Sequence, residues 1–366
     1  MNLNIRSVSY LKLILFSVVV SFCTLNKTYA FDFGIGTHIA NYKGPPSSYI
    51  KKIKEYGFNS VRDELPWNDV EKTDGVYAIP SGKEKNDYLF SSLSANGLSG
   101  VFILDYGNKI HTNEGFPVND EDIEKFSKYA AFIAARYKGK VKTYEVWNEW
   151  YLSTGINRKM RKQKPDDIIY FKLIQATSKA IKEVDPQAHV IAGGFNPLKD
   201  REITWFDMFI DKGVLSYIDG ISIHPYSFGN KNPIMRTPEG NLRGIDHYQE
   251  HLKLKTGKTI PLYITEMGYP TNPNHGGVTE DQAANYIIKY TELAKERSYI
   301  KGVWWYTLMD SAFNQFNKES NFGILKYDES EKLSAQCLRE NKGVLLLDEN
   351  VKIDTLRVKC DSHTID

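Results

Sequence analysis

The chain has 366 residues, of which 41% are hydrophobic and 25% are charged, and its formal net charge is +2. This composition is typical of a globular protein with a large core, and it excludes a fibrous or disordered chain. A net charge so close to zero provides no strong basic field, so we expect no nucleic-acid partner.

Residues 1–30 have the pattern of a secretory signal peptide. Arg6 and Lys12 supply positive charge, Leu13–Leu25 form an apolar run, and Thr28-Tyr29-Ala30 resembles a cleavage site. The apolar run is too short and too interrupted by polar residues to span a bilayer comfortably, so a retained anchor is the weaker alternative. We therefore expect a mature chain without a membrane span, exported to the periplasm or the medium.

The cysteines fit an exported chain. Cys23 would leave with the signal peptide, so Cys337 and Cys360 would remain. An even number of cysteines in an oxidising compartment favours a disulfide, here one that ties residues 342–366 to the last helix. Two unpaired thiols are the alternative. No histidine cluster lies near them, so we expect no metal site.

From Phe31 onward, short apolar runs alternate with amphipathic segments about eight times. The predicted strands are Phe33–Ile39, Ser60–Asp63, Gly100–Asp105, Val141–Trp147, Val190–Gly193, Gly220–His224, Leu262–Thr265 and Gly302–Leu308. Helical spacing covers Ser48–Tyr56, Glu121–Tyr137, Asp166–Val184 and Thr279–Glu296, and the last of these opens with a capping box.

Strands separated by helices imply a parallel sheet with crossover connections. Eight such units predict an α/β fold, a closed (β/α)8 TIM barrel over residues 31–341, as a single catalytic domain with a short C-terminal extension. No glycine-rich phosphate loop follows the first strand, which disfavours a doubly wound sheet. The alternating apolar and polar residues of 342–366 could add a short β element.

The longest segments without periodicity all follow predicted strands. They are Gly107–Val118, Tyr151–Pro165, Tyr226–Gly244 and Tyr269–Val278. In a barrel, the loops after the strands form the face that carries the active site.

Two predicted strands end at a glutamate. Glu149 follows Asn148 at the end of the fourth strand, and Glu266 ends the seventh. A carboxylate is costly to bury without a function, although either residue alone could be a salt-bridged loop residue. Two carboxylates that face each other across a barrel mouth are the minimum set of catalytic groups for cleaving a glycosidic bond.

Several motifs resemble clan A of the glycoside hydrolases. They are Val61-Arg62, Trp147-Asn148-Glu149, His224-Pro225-Tyr226, Thr265-Glu266-Met267-Gly268 and Trp304-Trp305-Tyr306. Within the clan they are most similar to family 39 and its bacterial exopolysaccharide endoglycosidases, with family 5 as the near competitor. The resemblance implies a retaining O-glycosyl hydrolase in which Glu149 is the acid/base and Glu266 the nucleophile. Carboxylates can perform both proton transfer and covalent catalysis, so no cofactor is implied. No metal is required, since His38, His111 and His224 are scattered singly.

The resemblance also implies roles for the neighbouring polar residues. Arg62 is the candidate cation beside the nucleophile, with a loop salt bridge as the alternative. Asn148 resembles the amide that hydrogen-bonds the sugar 2-hydroxyl. His224 and Tyr226 resemble groups that orient the nucleophile or touch the sugar, although a His-Pro-Tyr sequence elsewhere would more often be a turn.

Aromatic residues are candidates for the sugar-binding surface. Adjacent strand residues point to opposite faces, so Trp304 and Trp305 cannot both face the cleft. The resemblance favours Trp305 as the sugar platform, with Tyr306 as a neighbour and Trp304 against the helices. Residues that could line outer subsites are Trp67, Trp150, Tyr151, Phe228 and Tyr269. Glu145 lies four residues before Glu149, roughly 13 Å deeper at about 3.3 Å per residue, so we expect a structural role for it.

The sequence thus predicts a glycosidase that cuts a poly- or oligosaccharide, with endo action favoured and a monomer sufficient. Two alternatives remain. The first is an exo-acting enzyme whose cleft is closed at one end by the Tyr226–Gly244 loop. The second is a catalytically silent barrel that binds glycan in a polysaccharide export system.

Overall fold

Eight parallel strands close into a barrel. The structure, a computed structural model, describes residues 31–272, 276–314 and 316–345, without the side chains of residues 343–345. The barrel strands, here numbered β1 to β8, are Asp32–Gly36, Ser60–Glu64, Ser99–Leu104, Thr143–Val146, His189–Phe195, Gly220–Ile223, Leu262–Met267 and Ile300–Trp305. Each strand pairs with its neighbours in sequence, and β1 pairs with β8 to close the ring. The predicted (β/α)8 barrel is confirmed.

The strands are buried because helices cover the outside of the ring. In β3, every residue from Gly100 to Leu104 is buried, which fits a parallel strand that is packed on both faces. Some predicted strands run past their true ends. The fourth stops at Val146 because Trp147 has a φ of 66°, which is incompatible with an extended strand.

Nine α-helices lie in the described part of the chain. They are α1 Pro46–Glu55, α2 Trp67–Val70, α3 Glu84–Ser92, α4 Asp120–Arg136, α5 Ile168–Val184, α6 Asp200–Asp211, α7 Pro238–Thr256, α8 Glu280–Lys295 and α9 Leu333–Leu345. The four helices predicted from spacing are confirmed to within two residues at each end. The capping box at α8 is also confirmed, since Thr279 and Gln282 exchange both of its hydrogen bonds.

The Tyr226–Gly244 segment is only partly a loop. It contains a short 3₁₀ turn at Pro233–Arg236, and α7 already begins at Pro238. Thr237 caps this helix by accepting a hydrogen bond from the Gly240 N–H, and proline is favourable at the first helical position. The prediction of one long irregular connection there was wrong.

The C-terminal extension begins within a helix. Helix α9 continues through residue 342 to Leu345, whereas residues 346–366, with the predicted β element, lie outside the described residues. Cys337 is buried in α9 and forms a disulfide bond. Its predicted partner Cys360 lies outside the described residues, as does the predicted signal peptide. Among the helices that the structure describes, none is long and apolar enough to cross a membrane.

The core has two layers. The larger one lies between the barrel and the helices, while a small cluster of Val101, Ile191, Tyr263 and Trp304 fills the barrel interior. The interior is therefore packed at its lower end, and the polar residues at the upper strand ends form the floor of an open site.

Candidate active site

Five of the six polar residues predicted from strand ends line one cavity of about 360 Å³ at the upper end of the barrel, and the sixth, His224, lines a neighbouring cavity. Arg62, Asn148, Glu149, Tyr226 and Glu266 line the first cavity together, although they come from four different strands or the loops that follow them. The wall also includes residues that the sequence analysis did not select, which are Gly36, Thr37, His38, Asp63, Glu64, Ile103, Tyr106, Thr154, Glu319 and Phe322.

Arg62 connects three acceptors beneath this cavity. Its Nε donates to Glu145 Oε2 at 2.8 Å, Nη1 donates to Glu266 Oε1 at 2.7 Å, and Nη2 donates to Asn148 Oδ1 at 2.9 Å. Burial opposes the charge of Arg62, but the carboxylates of Glu145 and Glu266 outweigh it and raise the pKa of the guanidinium above its usual value. The rigid, always charged fork of Arg therefore holds the site together.

Glu266 is held in its ionised form. Burial alone would raise the pKa of its carboxyl, but the charges of His224 and Arg62 and the hydrogen bond from the Tyr226 hydroxyl lower that pKa to about 2. The Tyr226 oxygen lies 2.9 Å from Glu266 Oε2. One cation and one neutral donor therefore occupy the two oxygens of this carboxylate.

Glu149 has different partners. Its Oε1 lies 3.0 Å from His224 Nδ1, and its Oε2 accepts a hydrogen bond from the Thr154 hydroxyl. Among the described residues, no Lys or Arg side chain forms a salt bridge with Glu149. The side chains of Glu149 and Glu266 are similarly buried, 15% and 12% exposed, so their partners rather than their burial distinguish them.

An unusual backbone presents Glu149. Trp147 and Glu149 have positive φ values of 66° and 51°, a region that side chains seldom adopt. Gly194 of β5 lies directly against this turn, since a Cβ atom at residue 194 would lie 2.9 Å from the Glu149 nitrogen. Only glycine allows β5 to come so close at its own φ of 58°.

His224 lies within reach of both carboxylates. Its Nδ1 lies 3.0 Å from a Glu149 oxygen and 3.8 Å from a Glu266 oxygen. Its Nε2 contacts the Thr265 hydroxyl, which donates to Glu145. Burial alone would lower the pKa of His224, but the two carboxylates raise it above the ordinary 6.5.

Glu145 lies beneath the cavity and does not line it. The sequence estimate of its depth assumed an extended strand through residue 149, but the chain leaves the strand at Val146. Glu145 is completely buried, with its oxygens bonded to Arg62 and Thr265. It therefore takes part in the site indirectly, through Arg62.

The described residues contain two groups whose donor atoms are close enough for a metal ion. One is Glu149, His224 and Glu266, with the donor atoms within 4.8 Å of one another. Each of these donors already takes part in the hydrogen bonds above, which an ion would have to displace. The other group is Glu71, Asp74 and His111, which lies outside the cavity.

Comparison with known proteins identifies the family. The family model for cellulase, glycosyl hydrolase family 5, matches residues 26–309, more than half of the chain. The chain belongs to this family. The clan that the motifs indicated is thereby confirmed, and the matching family model is that of family 5, the near competitor in the sequence analysis. A search of curated proteins gave no match.

Solved structures share the fold of this family 5 member. A family 39 glycoside hydrolase from the gut symbiont Bacteroides cellulosilyticus WH2 superposes with a TM-score of 0.70 at 23% identity, covering 86% of this chain and 64% of the other. A monomeric beta-xylosidase from Caulobacter crescentus CB15 gives 0.62 at 18% identity, with coverages of 84% and 67%. A beta-glucosidase from Exiguobacterium marinum gives 0.63 at 15% identity, with 88% and 99%. The chain thus spans about two thirds of the first two proteins.

Two tryptophans of the family 5 chain, Trp67 and Trp150, do not line the cavity, contrary to their predicted role as sugar contacts. Trp67 is fully buried, stacks on His111 and donates to Glu71. Trp150 is fully buried and stacks on Tyr170 of α5. The prediction failed because hydrophobic residues next to an active site can belong to the barrel–helix core as well as to the cleft.

The assignment of the two β8 tryptophans was the reverse of the true one. Trp304 points into the barrel interior, and Trp305 packs outward against Tyr269 and Tyr290. Strand alternation then brings Tyr306 back to the inside, where it lines the cavity. Of the remaining aromatic candidates, Phe228 also lines the cavity.

Tyr151 and Tyr269 do not line the site. Tyr151 packs against Trp205, and Tyr269 packs against Tyr286. Tyr269 is buried, which corrects its predicted outer-subsite role, whereas the role of the half-buried Tyr151 stays a prediction.

Two residues of the cavity were not predicted from the sequence, although they form hydrogen bonds with Asn148 and Glu149. The Tyr106 hydroxyl accepts a hydrogen bond from Asn148 Nδ2 at 2.8 Å, and Thr154 donates to Glu149. Tyr106 directly follows the third predicted strand, so the strand-end criterion could have found it. Thr154 lies within a loop, and no sequence pattern distinguishes it.

Proposed function

We propose that this protein is a retaining glycosidase that cuts within a polysaccharide chain. The observation that carries the proposal is the separation of the two carboxyl groups, since oxygens of Glu149 and Glu266 lie within 4.8 Å of each other. A retaining reaction needs carboxyl groups about 5–5.5 Å apart, whereas an inverting reaction needs roughly 6.5–9.5 Å to admit a water molecule.

Glu266 is the nucleophile in this proposal. Arg62, His224 and Tyr226 hold it ionised, so it can attack the anomeric carbon and form a glycosyl-enzyme intermediate. Its two oxygens are also fixed in direction by Arg62 and Tyr226. Such fixation lowers the entropy cost of reaching the transition state.

Glu149 is the acid/base. It would protonate the oxygen of the leaving sugar and then remove a proton from the water that hydrolyses the intermediate. Thr154 and His224 orient its carboxyl group. This mechanism uses only carboxyl groups, so it requires neither a metal nor a cofactor.

Asn148 would bind the sugar 2-hydroxyl. Its Oδ1 accepts from Arg62, and one N–H is donated to Tyr106, which leaves the second amide N–H to bind a substrate hydroxyl. Tyr306 and Phe322 would supply apolar surface for the sugar ring, because both line the cavity.

Endo action is supported by a second cavity of about 330 Å³. It shares Glu149, Tyr226 and Phe228 with the first cavity, so binding surface extends to both sides of the acid/base. An exo-acting enzyme would need one of these sides closed. The silent-barrel alternative has less support, since both carboxylates are in place.

The proposal is tested by hydrolysis of bacterial and plant polysaccharides with the wild type, Glu149→Gln and Glu266→Gln. Glu183→Gln, a change at an exposed residue of α5, is the control. We expect the control to keep the activity and each active-site variant to lose at least about a hundredfold. Nuclear magnetic resonance of the fresh product should show retained anomeric configuration and internal cuts.

Three results would contradict parts of the proposal. Inverted product would exclude the retaining mechanism, and release of single sugars from one end would support the exo alternative. Binding of a glycan without cleavage by the wild type would support the silent barrel.

We further propose that the enzyme is exported, on the basis of the signal-peptide pattern of residues 1–30. Expression of the full chain in a bacterial host should give a product whose N-terminus is Phe31, measured by mass spectrometry of the periplasmic and medium fractions. A full-length, cell-retained product would contradict export.

A further inference from the structure

The two cavities differ in which catalytic carboxylate they contain. The first is lined by both Glu149 and Glu266, whereas the second is lined by Glu149 but not by Glu266. If the proposed function holds, the sugar that is attacked must touch the nucleophile, and therefore lies in the first cavity. The leaving sugar needs only the acid, and therefore lies in the second cavity.

The two cavities also differ in charge. Carboxylates outnumber basic side chains in the first cavity. Among its described lining residues, Arg62 is the one Lys or Arg residue. Its carboxylates are Asp63, Glu64, Glu149, Glu266 and Glu319. The second cavity has Glu149 as its carboxylate and contains two lysines, Lys199 and Lys318. The excess of carboxylates around the attacked sugar is therefore absent on the other side of the bond that would be cleaved, where two ammonium groups lie.

The lysines can reach a ligand. Lys318 is exposed, and its Nζ lies 5.1 Å from the centre of the Phe228 ring, which forms part of both cavities. The Lys199 side chain is 56% exposed, and its Nζ lies 2.9 Å from the buried carboxylate of Glu202. An ammonium group has three donors, so Lys199 can bind Glu202 and a ligand together.

We propose that the second cavity recognises a sugar that carries a negative charge. The substrate is then a heteropolysaccharide in which an uncharged sugar precedes an acidic sugar at the cleaved bond. An anion in the first cavity would meet several carboxylates, whereas in the second it would meet two ammonium groups. A carboxylate of a uronic acid and a sulfate ester share this chemistry.

The first test is binding, which does not depend on turnover. Full-length Glu266→Gln protein is run by affinity electrophoresis in gels that contain a uronate polysaccharide, the same polymer after carboxyl reduction, a sulfated polysaccharide or a neutral one. We expect about tenfold tighter binding to a charged polymer than to the neutral and reduced polymers, with the difference shrinking at high salt. Retardation by uronate alone or by sulfate alone identifies the source of the charge.

Charge-matched variants separate specific from general attraction. Lys199→Gln with Lys318→Gln should abolish the preference for the charged polymer. Lys179→Gln with Lys253→Gln removes the same charge from exposed helix positions and should keep it. Equal binding of charged and neutral polymers, absence of binding to all of them, or the same loss in both double variants would overturn the proposal.

The second test locates the acidic sugar in the product. Wild-type cleavage should give fragments with the acidic sugar at the new non-reducing end, identified by mass spectrometry. An acidic sugar at the new reducing end would overturn this inference while the glycosidase proposal stands. If the wild type cuts none of these polymers, the function proposal fails, whereas the binding test still decides the charge preference.

Discussion

At the scale of single residues, charge pairing explains how two glutamates in one cavity can behave differently. Glu266 faces Arg62 and a tyrosine hydroxyl, whereas Glu149 faces a histidine and a threonine. A buried carboxylate that is paired with a cation is stable only while it is ionised. The surroundings of each glutamate therefore determine its role, which residue type alone does not.

Protonation of Glu266 should destabilise the protein in acid. Its pKa is lowered from 4.5 to about 2, so its contribution to the free energy of unfolding is fully present above pH 4.5 and is lost as the pH falls toward 2. Between pH 6 and pH 3, we expect the free energy of unfolding of the wild type to fall by on the order of 2 kcal/mol more than that of Glu266→Gln. Urea unfolding at several pH values measures this difference, and a constant difference would contradict the assigned ion pairs.

The β8 aromatics give a second prediction at this scale. Tyr306 lines the cavity and Trp305 does not, so Tyr306→Ala should raise KM about tenfold by removing apolar contact with the sugar. Trp305→Phe should leave KM within about twofold and lower the free energy of unfolding by about 1–3 kcal/mol, because it leaves a void against Tyr290. For both variants, steady-state kinetics measures KM and urea unfolding measures the free energy of unfolding. A larger KM effect for Trp305→Phe would restore the sequence assignment.

At the scale of elements, sequence patterns predicted the regular strands and helices but not the irregular turn that carries Glu149. Apolar runs gave eight strands in their true order, and helical spacing gave four helices because these features follow from periodic burial. The turn at Trp147–Glu149 has no such periodicity. This turn lies against Gly194 of β5, a contact between distant parts of the chain.

Gly194 should therefore be essential for activity. Gly194→Ala would place a Cβ atom 2.9 Å from the Glu149 nitrogen, so we expect the acid/base to move and kcat to fall about a hundredfold. Gly213→Ala is the matched control, because Gly213 also has positive φ but no atom within 4 Å of the added Cβ. It should lower the free energy of unfolding by about 1–2 kcal/mol and preserve kcat.

The two glycine variants are compared by circular dichroism, urea unfolding and hydrolysis of the same glycan. If both variants lost kcat equally, backbone strain alone would account for the effect, and the contact between Gly194 and Glu149 would be irrelevant.

At the scale of the whole molecule, the number and order of strands could be read from the sequence, but the direction of each side chain could not. A one-residue difference in the strand register exchanges inside and outside, and this accounts for the reversal of Trp304 and Trp305. The interior is also shaped by glycines opposite the large residues. A Cβ at residue 34 would lie 2.2 Å from Trp304 Cδ1, and one at residue 220 would lie 2.5 Å from the Tyr263 ring.

This complementarity of large and small residues should control barrel stability. Gly34→Ala would overpack Trp304 and lower the free energy of unfolding by about 1–3 kcal/mol. Gly36→Ala in the same strand is the control, since its added Cβ would have no neighbour closer than 3.6 Å. In a double-mutant cycle, Trp304→Ala should remove most of the cost of Gly34→Ala, because it deletes the indole atoms Cγ, Cδ1 and Nε1 that the added Cβ would meet. Strict additivity, measured by urea unfolding, would show that the glycine in β1 does not accommodate Trp304, and the cost of Gly34→Ala would then have to come from the strand itself.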